Sequence, residues 1–265
     1  MKRSSGARLC ATAAVGALSL ALVTGCGSSD EGSKDSGGSK GSSSSSSAAA
    51  SDAKALTKAE LEKLLLAQGE IKGFKVDSGD DTLPASKSLV KTDKAECDPL
   101  AWSTAALAPG DTDASVGNTV SEDKASSAPT SLEELDEDAF ADAFNLDMTF
   151  VGLSSYDGDG AEKAMKAVSD GVKACSSGYA LKAEGETTKV TKVAPAEGTG
   201  GGDEAIAFSE DVDMDGEGTA TFHTEVVRKG NTIATFYTVN FAAFGTGEAM
   251  KIPAAVVQAQ VAKLK

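Results

Sequence analysis

The segment 219–241, TATFHTEVVRKGNTIATFYTVNF, decides the fold of this chain. Two runs rich in β-branched and aromatic residues, 219–228 and 232–241, flank a short polar stretch. Gly230 and Asn231 stand between the runs, and these residue types tolerate the positive φ angles of a tight turn. We therefore predict an antiparallel β-hairpin that turns at Gly230-Asn231.

Further strands and a strong helix precede the hairpin. Residue patterns predict other strands at 71–76, 116–120, 146–150, 181–193 and 203–209. Residues 161–175 have helical spacing instead, with one face formed by Ala161, Met165, Val168, Val172 and Cys175. Helices early in the chain and adjacent antiparallel strands late in it predict an α+β fold, in which an antiparallel β-sheet packs with several helices in a single domain.

Capping signals locate the other helices. Thr57 and Glu60 have the spacing of a capping box, and this first helix is expected to end near Gly69. Asp98-Pro99 predicts a second helix that ends near 109–110, with Asp98 as its N-cap. Ser131 is expected to cap an acidic helix that continues to residue 144, and Ile252-Pro253 to open the last helix.

Residues 1–25 are predicted to be a lipoprotein signal peptide and not part of the fold. Basic residues at positions 2, 3 and 8 precede an uncharged apolar run, 9–23, that is shorter than the about 20 residues a membrane span needs. The run ends in Leu22-Val23-Thr24-Gly25-Cys26, which resembles the bacterial lipobox. This resemblance implies cleavage after Gly25, a lipid thioether on Cys26, and acylation of the new amine by a fatty acid such as palmitate.

Residues 26–53 are predicted to be a disordered linker that begins at the lipidated Cys26. The stretch includes a serine run at 42–47 and has no aromatic or large aliphatic residue with which to form a core. The extracytoplasmic domain is expected to span residues 54–265.

Two cysteines remain for the domain, Cys97 and Cys175. An even number of cysteines outside the cytoplasm predicts one disulfide bond. A zinc site would need more cysteine or histidine ligands, and a cysteine nucleophile would need a base that the sequence does not indicate.

Charge and composition exclude several classes of function. The chain has 40 acidic and 25 basic residues, a net charge of -15, and one histidine. Such an acidic chain repels polyanions, so nucleic acid is not an expected partner. With one histidine, most His-based catalysis and His-rich metal sites are also disfavoured.

Motifs for nucleophilic catalysis and cofactor binding are incomplete. The stretch 152–156 lacks the closing glycine of a nucleophile elbow, and the Ser-x-x-Lys matches at Ser88 and Ser121 lack their companion motifs. The glycine-rich stretch 198–203 has Asp203 where a dinucleotide fingerprint has its third glycine. We expect no enzyme activity and no cofactor.

His223 is the candidate polar binding residue in the hairpin. Strand alternation places it on the polar side with Glu225, which could orient the imidazole. The late aromatic strands have two interpretations: either both faces are core, or Phe222, His223, Phe236 and Tyr237 line a ligand groove.

An acidic loop matches part of a calcium-binding motif. Asp211, Asp213 and Asp215 stand at the first, third and fifth positions of an EF-hand loop, with Gly216 at the sixth. The twelfth position is Phe222 instead of glutamate. The alternatives are a solvated acidic turn and a weak calcium site, and we expect no metal.

The order of short motifs in residues 54–265 resembles the extracellular sensor domain of PknH-type serine/threonine kinases and related actinobacterial lipoproteins. The matching stretches are 71–76, Cys97-Asp98-Pro99-Leu100, the helix ending at Cys175, Gly202-Asp203-Glu204-Ala205, 226–231 and the helix at Ile252-Pro253. The resemblance implies an α+β domain with a cleft proposed to bind an unidentified ligand. It implies no catalytic residues, and the kinase sensors have two disulfides where this chain can form one.

These observations favour a non-catalytic lipoprotein on the extracytoplasmic face of the bacterial cell membrane, whose sensor-like domain binds a small molecule or a protein. The alternative is a lipid or glycolipid carrier that uses an apolar groove. A hydrolase is a weaker alternative, since it would need His223 and Glu225 in a cleft beside a serine or aspartate.

Overall fold

The main element of the described chain is one nine-stranded β-sheet. The computed structural model describes residues 53–78, 83–124, 145–183, 185–215, 218–245 and 248–264. The strands are β1 (Phe74–Ser78), β2 (Val90–Thr92), β3 (Ser115–Glu122), β4 (Met148–Ser155), β5 (Tyr179–Ala183), β6 (Glu186–Pro195), β7 (Glu204–Asp213), β8 (Thr219–Lys229) and β9 (Thr232–Val239). The helices are α1 (Lys58–Glu62), α2 (Asp98–Thr104), α3 (Gly160–Ala174) and α4 (Ala254–Lys263).

All neighbouring strands in this sheet are antiparallel. Their order is β1-β3-β4-β9-β8-β7-β6-β5-β2. The predicted hairpin is confirmed: Lys229 pairs with Thr232 across a turn at Gly230, whose φ is 58°. The hairpin of β8 and β9 therefore lies inside the sheet, with β4 on one side and β7 on the other.

The strand predicted at 181–193 is wrong in its connectivity, because the chain turns back in the middle of it. β5 and β6 pair from Tyr179↔Val190 to Ala183↔Glu186. Gly185 has a φ of 89°, which only glycine adopts at little cost, and it permits this tight reversal. β7 is also longer than predicted and continues to Asp213.

Two helices are shorter than predicted, although their starts are nearly right. The Thr57 capping box forms as expected, but α1 ends at Glu62 and not near Gly69. α2 ends at Thr104, and Asp98 is its first residue and not its cap. The Asp98 carboxylate points back toward β2, where it accepts a hydrogen bond of 3.0 Å from the Thr92 N–H.

The sheet has an apolar core on each face. On one face, α2 and α3 pack on Phe208, Val226 and Ile233. On the other face, α1 and α4 pack on a cluster that includes Val227 and Phe236. The fold is thus α+β with an antiparallel sheet, as predicted, but the sheet predominates and the described helices are few. The expected acidic helix at 131–144 lies outside the described residues.

The predicted disulfide bond is confirmed. Cys97 and Cys175 are bonded with an Sγ–Sγ distance of 2.01 Å, and both residues are fully buried. Cys97 ends a 3₁₀ turn before α2, and Cys175 follows the last residue of α3. The bond therefore joins the two helices that cover one face of the sheet.

Side chains bind backbone groups on both edge strands. On β1, the Val76 N–H donates to Gln68 Oε1 at 2.8 Å. On β2, the Val90 carbonyl accepts from Trp102 Nε1 at 3.1 Å. Within the described part of the chain, no helix has the length and apolar character required to cross a bilayer.

Candidate functional site

A cleft of about 520 Å³ opens on the α1/α4 face of the sheet. Ala207 and Ser209 of β7, with His223 and Glu225 of β8, form its floor. One wall is the end of β6 at Pro195 with the following residues 196–199, and the other is Lys251-Ile252 before α4. The lining is mixed in charge and mostly polar, which suits a polar ligand better than an acyl chain.

Glu225 fixes the loop wall of this cleft. The side chain is 2 % exposed, and its carboxylate accepts hydrogen bonds from the N–H groups of Thr199 at 2.9 Å and Gly200 at 2.7 Å. Backbone donors satisfy the buried charge, so the carboxylate is engaged by the loop and does not orient His223 as the sequence suggested.

The loop lies directly on the sheet at Gly198. A Cβ atom at this position would be 2.8 Å from Glu225 Cδ and 2.9 Å from Ala207 Cβ. A larger residue would not fit at this position, so glycine is required. The loop that forms the cleft wall therefore packs directly on β7 and β8.

His223 is half-buried on the cleft floor. Burial, together with the nearby charge of Lys251, lowers the pKa of its imidazole below the ordinary value of 6.5. The ring is therefore mainly neutral at pH 7, with one nitrogen that donates and one that accepts. Ser209 lies directly opposite His223 in the β7–β8 register.

Ser209, His223 and Glu225 have the residue types of a catalytic triad but not its hydrogen bonds. Among the residues that the structure describes, the His223 side chain forms no hydrogen bond, and the Glu225 carboxylate is bound to the loop. In a triad the acid orients the base, whereas here the Glu225 carboxylate is bound to the loop amides instead.

The four residues predicted to line one groove lie on both faces of the sheet. Phe222 and Tyr237 stack, with ring centroids 5.5 Å apart, on the sheet face opposite to His223. Phe236 is on the same face as His223 but is fully buried in the α1/α4 core. Of these four residues, the structure places only His223 in the described cleft.

The acidic loop is partly strand. Asp211 and Asp213 belong to β7, and Asp211 Oδ1 accepts a hydrogen bond of 2.8 Å from the Thr221 hydroxyl. Asp215 occupies the turn with a φ of 52°. Within the described ranges, no group of three or more His, Cys, Asp or Glu side chains is arranged to hold a metal ion. Gly216 lies outside those ranges.

Sequence reasoning missed a buried acid on the opposite face, Glu210. It is 4 % exposed, and its carboxyl accepts a hydrogen bond of 2.6 Å from the Tyr179 hydroxyl. Burial raises the pKa of this carboxyl to about 7. The signal was available in the sequence, because strand alternation puts Glu210 on the same side as Phe208 and Val212.

No protein-family model matches this chain, and no curated protein matches it. Four chains of solved structures are similar to it. One is the extracellular domain of PknH from Mycobacterium tuberculosis, with 15% identity, a TM-score of 0.46, and coverage of 79% of this chain and 95% of that chain. Another is a putative uncharacterized protein from Mycobacterium smegmatis, with 11% identity, a TM-score of 0.30, and coverage of 78% and 94%. A PknH-type extracellular domain, which is the resemblance expected from the sequence, is thus among the similar structures.

Proposed function

We propose that this protein is a membrane-anchored extracytoplasmic lipoprotein whose domain binds a small polar ligand without transforming it. The observation that carries the proposal is the cleft on β7 and β8, whose wall is fixed by Glu225. A preformed cleft of several hundred Å³ with a few convergent polar groups is the usual form of a small-molecule site.

The anchoring part of the proposal rests on the lipobox at residues 22–26. Those residues lie outside the described ranges, so the support is the sequence motif and the confirmed disulfide, which fits an oxidising compartment. Replacing Cys26 with Ser tests it. The wild-type protein should partition into the detergent phase and incorporate labelled palmitate, whereas the Cys26→Ser chain should do neither.

The ligand-binding part is tested by native mass spectrometry of the full chain carrying Cys26→Ser, purified from the medium of a related host. We expect a bound mass that leaves on denaturation and that is lost when Ser209→Trp fills the cleft. Ala205→Trp is the matched control, because Ala205 is on the same strand and face but does not line the cleft.

The chemistry of the bound mass decides between the functions. A polar metabolite supports the proposal, and an acyl lipid would instead support the alternative of a lipid or glycolipid carrier. A bare polypeptide mass in every preparation would contradict both and would direct the search to protein partners.

A further inference from the structure

Two basic side chains, Lys251 and His223, face the same cleft. Lys251 is close enough for its charge to lower the pKa of the imidazole. Among the described residues, neither side chain forms an ion pair or a hydrogen bond. Both side chains line the cleft without a partner among the described residues, so both are available to bind an anion.

Two partly buried cations elsewhere in the described chain have carboxylate partners, whereas the exposed Lys251 and the half-buried His223 have none among the described residues. Arg228 pairs with the carboxylates of Asp203 and Glu204, and Lys263 pairs with Glu70. In a chain with 40 acidic and 25 basic residues, carboxylates are plentiful. Acids also line this cleft, but the loop amides bind Glu225, and Glu197 is on the exposed loop wall.

We propose that Lys251 and His223 together bind the anionic group of the ligand, a carboxylate or a phosphate. The Ser209 hydroxyl, across the register from His223, supplies a third donor. This inference rests on the proposed function, since it names the chemical class of ligand for the same cleft. The rest of the ligand faces Glu197 and should therefore carry hydroxyl or ammonium donors.

His223 is the only histidine in the sequence, so its imidazole resonance reports on the cleft without ambiguity. The test follows this resonance by NMR in the full chain during titration with sodium phosphate, sodium acetate or, at equal ionic strength, sodium chloride. Lys251→Gln removes the exposed cation, and Lys189→Gln, on exposed β6, is the control with the same change in net charge.

We expect phosphate or acetate, but not chloride, to raise the pKa of His223 in the wild-type and Lys189→Gln proteins. In Lys251→Gln, the pKa of His223 should start higher, and the binding of the anion should weaken by about tenfold or more, because a charge-assisted hydrogen bond is lost. Whichever of phosphate and acetate raises the pKa of His223 at the lower concentration indicates whether the anionic group of the ligand is a phosphate or a carboxylate. Vesicles of phosphatidylglycerol, compared with phosphatidylcholine, test a lipid headgroup as the source of the anion.

An absent response to phosphate, acetate and anionic vesicles would overturn the inference, as would an equal response in Lys251→Gln. The proposed function can survive that result. If native mass spectrometry finds a polar ligand that Ser209→Trp removes and Lys251→Gln retains, the cleft is a binding site whose ligand is not held by Lys251 and His223.

Discussion

The Tyr179 hydroxyl donates a hydrogen bond of 2.6 Å to the carboxyl of Glu210 inside the core between the sheet and α3. Sequestered from water, Glu210 is favoured in its neutral form, and its pKa rises from 4.5 to about 7. In the unfolded chain the same carboxyl would titrate near its ordinary value. Folding therefore takes up a proton between these two pH values.

This proton uptake makes stability depend on pH. The pKa of Glu210 is raised in the folded state, so the ionised carboxylate destabilises the folded protein. This loss of unfolding free energy is absent below about pH 4.5, grows as pH rises, and is complete above about pH 7. Glu210→Gln keeps an acceptor for Tyr179 and removes the charge. We expect the variant to match the wild type near pH 4.5 and to exceed it above pH 7 by about 3 kcal/mol at most.

Urea denaturation from pH 4.5 to 8.5 measures this difference. Glu186→Gln, at an exposed position of β6, is the control and should follow the wild-type pH profile. A Glu210→Gln profile parallel to that of the wild type would show that Glu210 is not the titrating group.

The disulfide should be a main source of stability. Cys97 and Cys175 are 78 positions apart, and closing a loop of that length is worth about 4–5 kcal/mol in the chain-entropy model. We expect the Cys97→Ala/Cys175→Ala protein to lose roughly this free energy of unfolding in urea. The reduced wild-type protein should lose a similar amount, and a loss under about 1 kcal/mol in both would contradict the prediction.

Gly198→Ala should displace the cleft wall. The new methyl group would meet Glu225 Cδ at 2.8 Å and Ala207 Cβ at 2.9 Å, and overpacking of this kind costs about 1–3 kcal/mol. Gly185→Ala, in the β5–β6 turn, is the control, because it strains a φ of 89° but meets no atom within 4 Å and does not line the cleft. Shifts of the His223 resonance in Gly198→Ala but not in Gly185→Ala would confirm that Gly198 fixes the wall.

Calcium should not stabilise the turn after β7. The Asp211 carboxylate already accepts a hydrogen bond from Thr221, and the motif lacks its bidentate glutamate. We expect the melting temperature to be the same with millimolar calcium chloride and with EDTA. A rise that Asp213→Ala abolishes would instead establish the site, since a ligand that binds the folded state raises the melting temperature.

The sequence predicted correctly those parts of the fold that depend on interactions between residues close together in the chain. The β8–β9 turn, the Thr57 capping box and the apolar face of α3 each depend on a few adjacent residues. The split into β5 and β6 was missed because its signal is a single glycine inside an otherwise strand-like run. The strand order depends on contacts between distant segments, and no local pattern contains it.

The cleft was only partly predictable for the same reason. Alternation correctly put His223 and Glu225 on one side of β8, but the partners of Glu225 come from a loop about 25 positions earlier in the chain. Lys251 approaches His223 from a segment whose position depends on the docking of α4. A glycine-rich loop in the sequence does not indicate that a buried carboxylate will bind it.

The side chains that hydrogen-bond backbone groups of the edge strands β1 and β2 affect association between molecules, and this effect is greatest where the protein is concentrated. A chain held on a membrane by a lipid, as proposed, diffuses in two dimensions and meets its neighbours often. An open sheet edge would let such neighbours polymerise strand by strand. Gln68 and Trp102 each occupy one backbone group at an edge of the sheet, so they should disfavour such strand pairing when molecules are crowded on the cell surface.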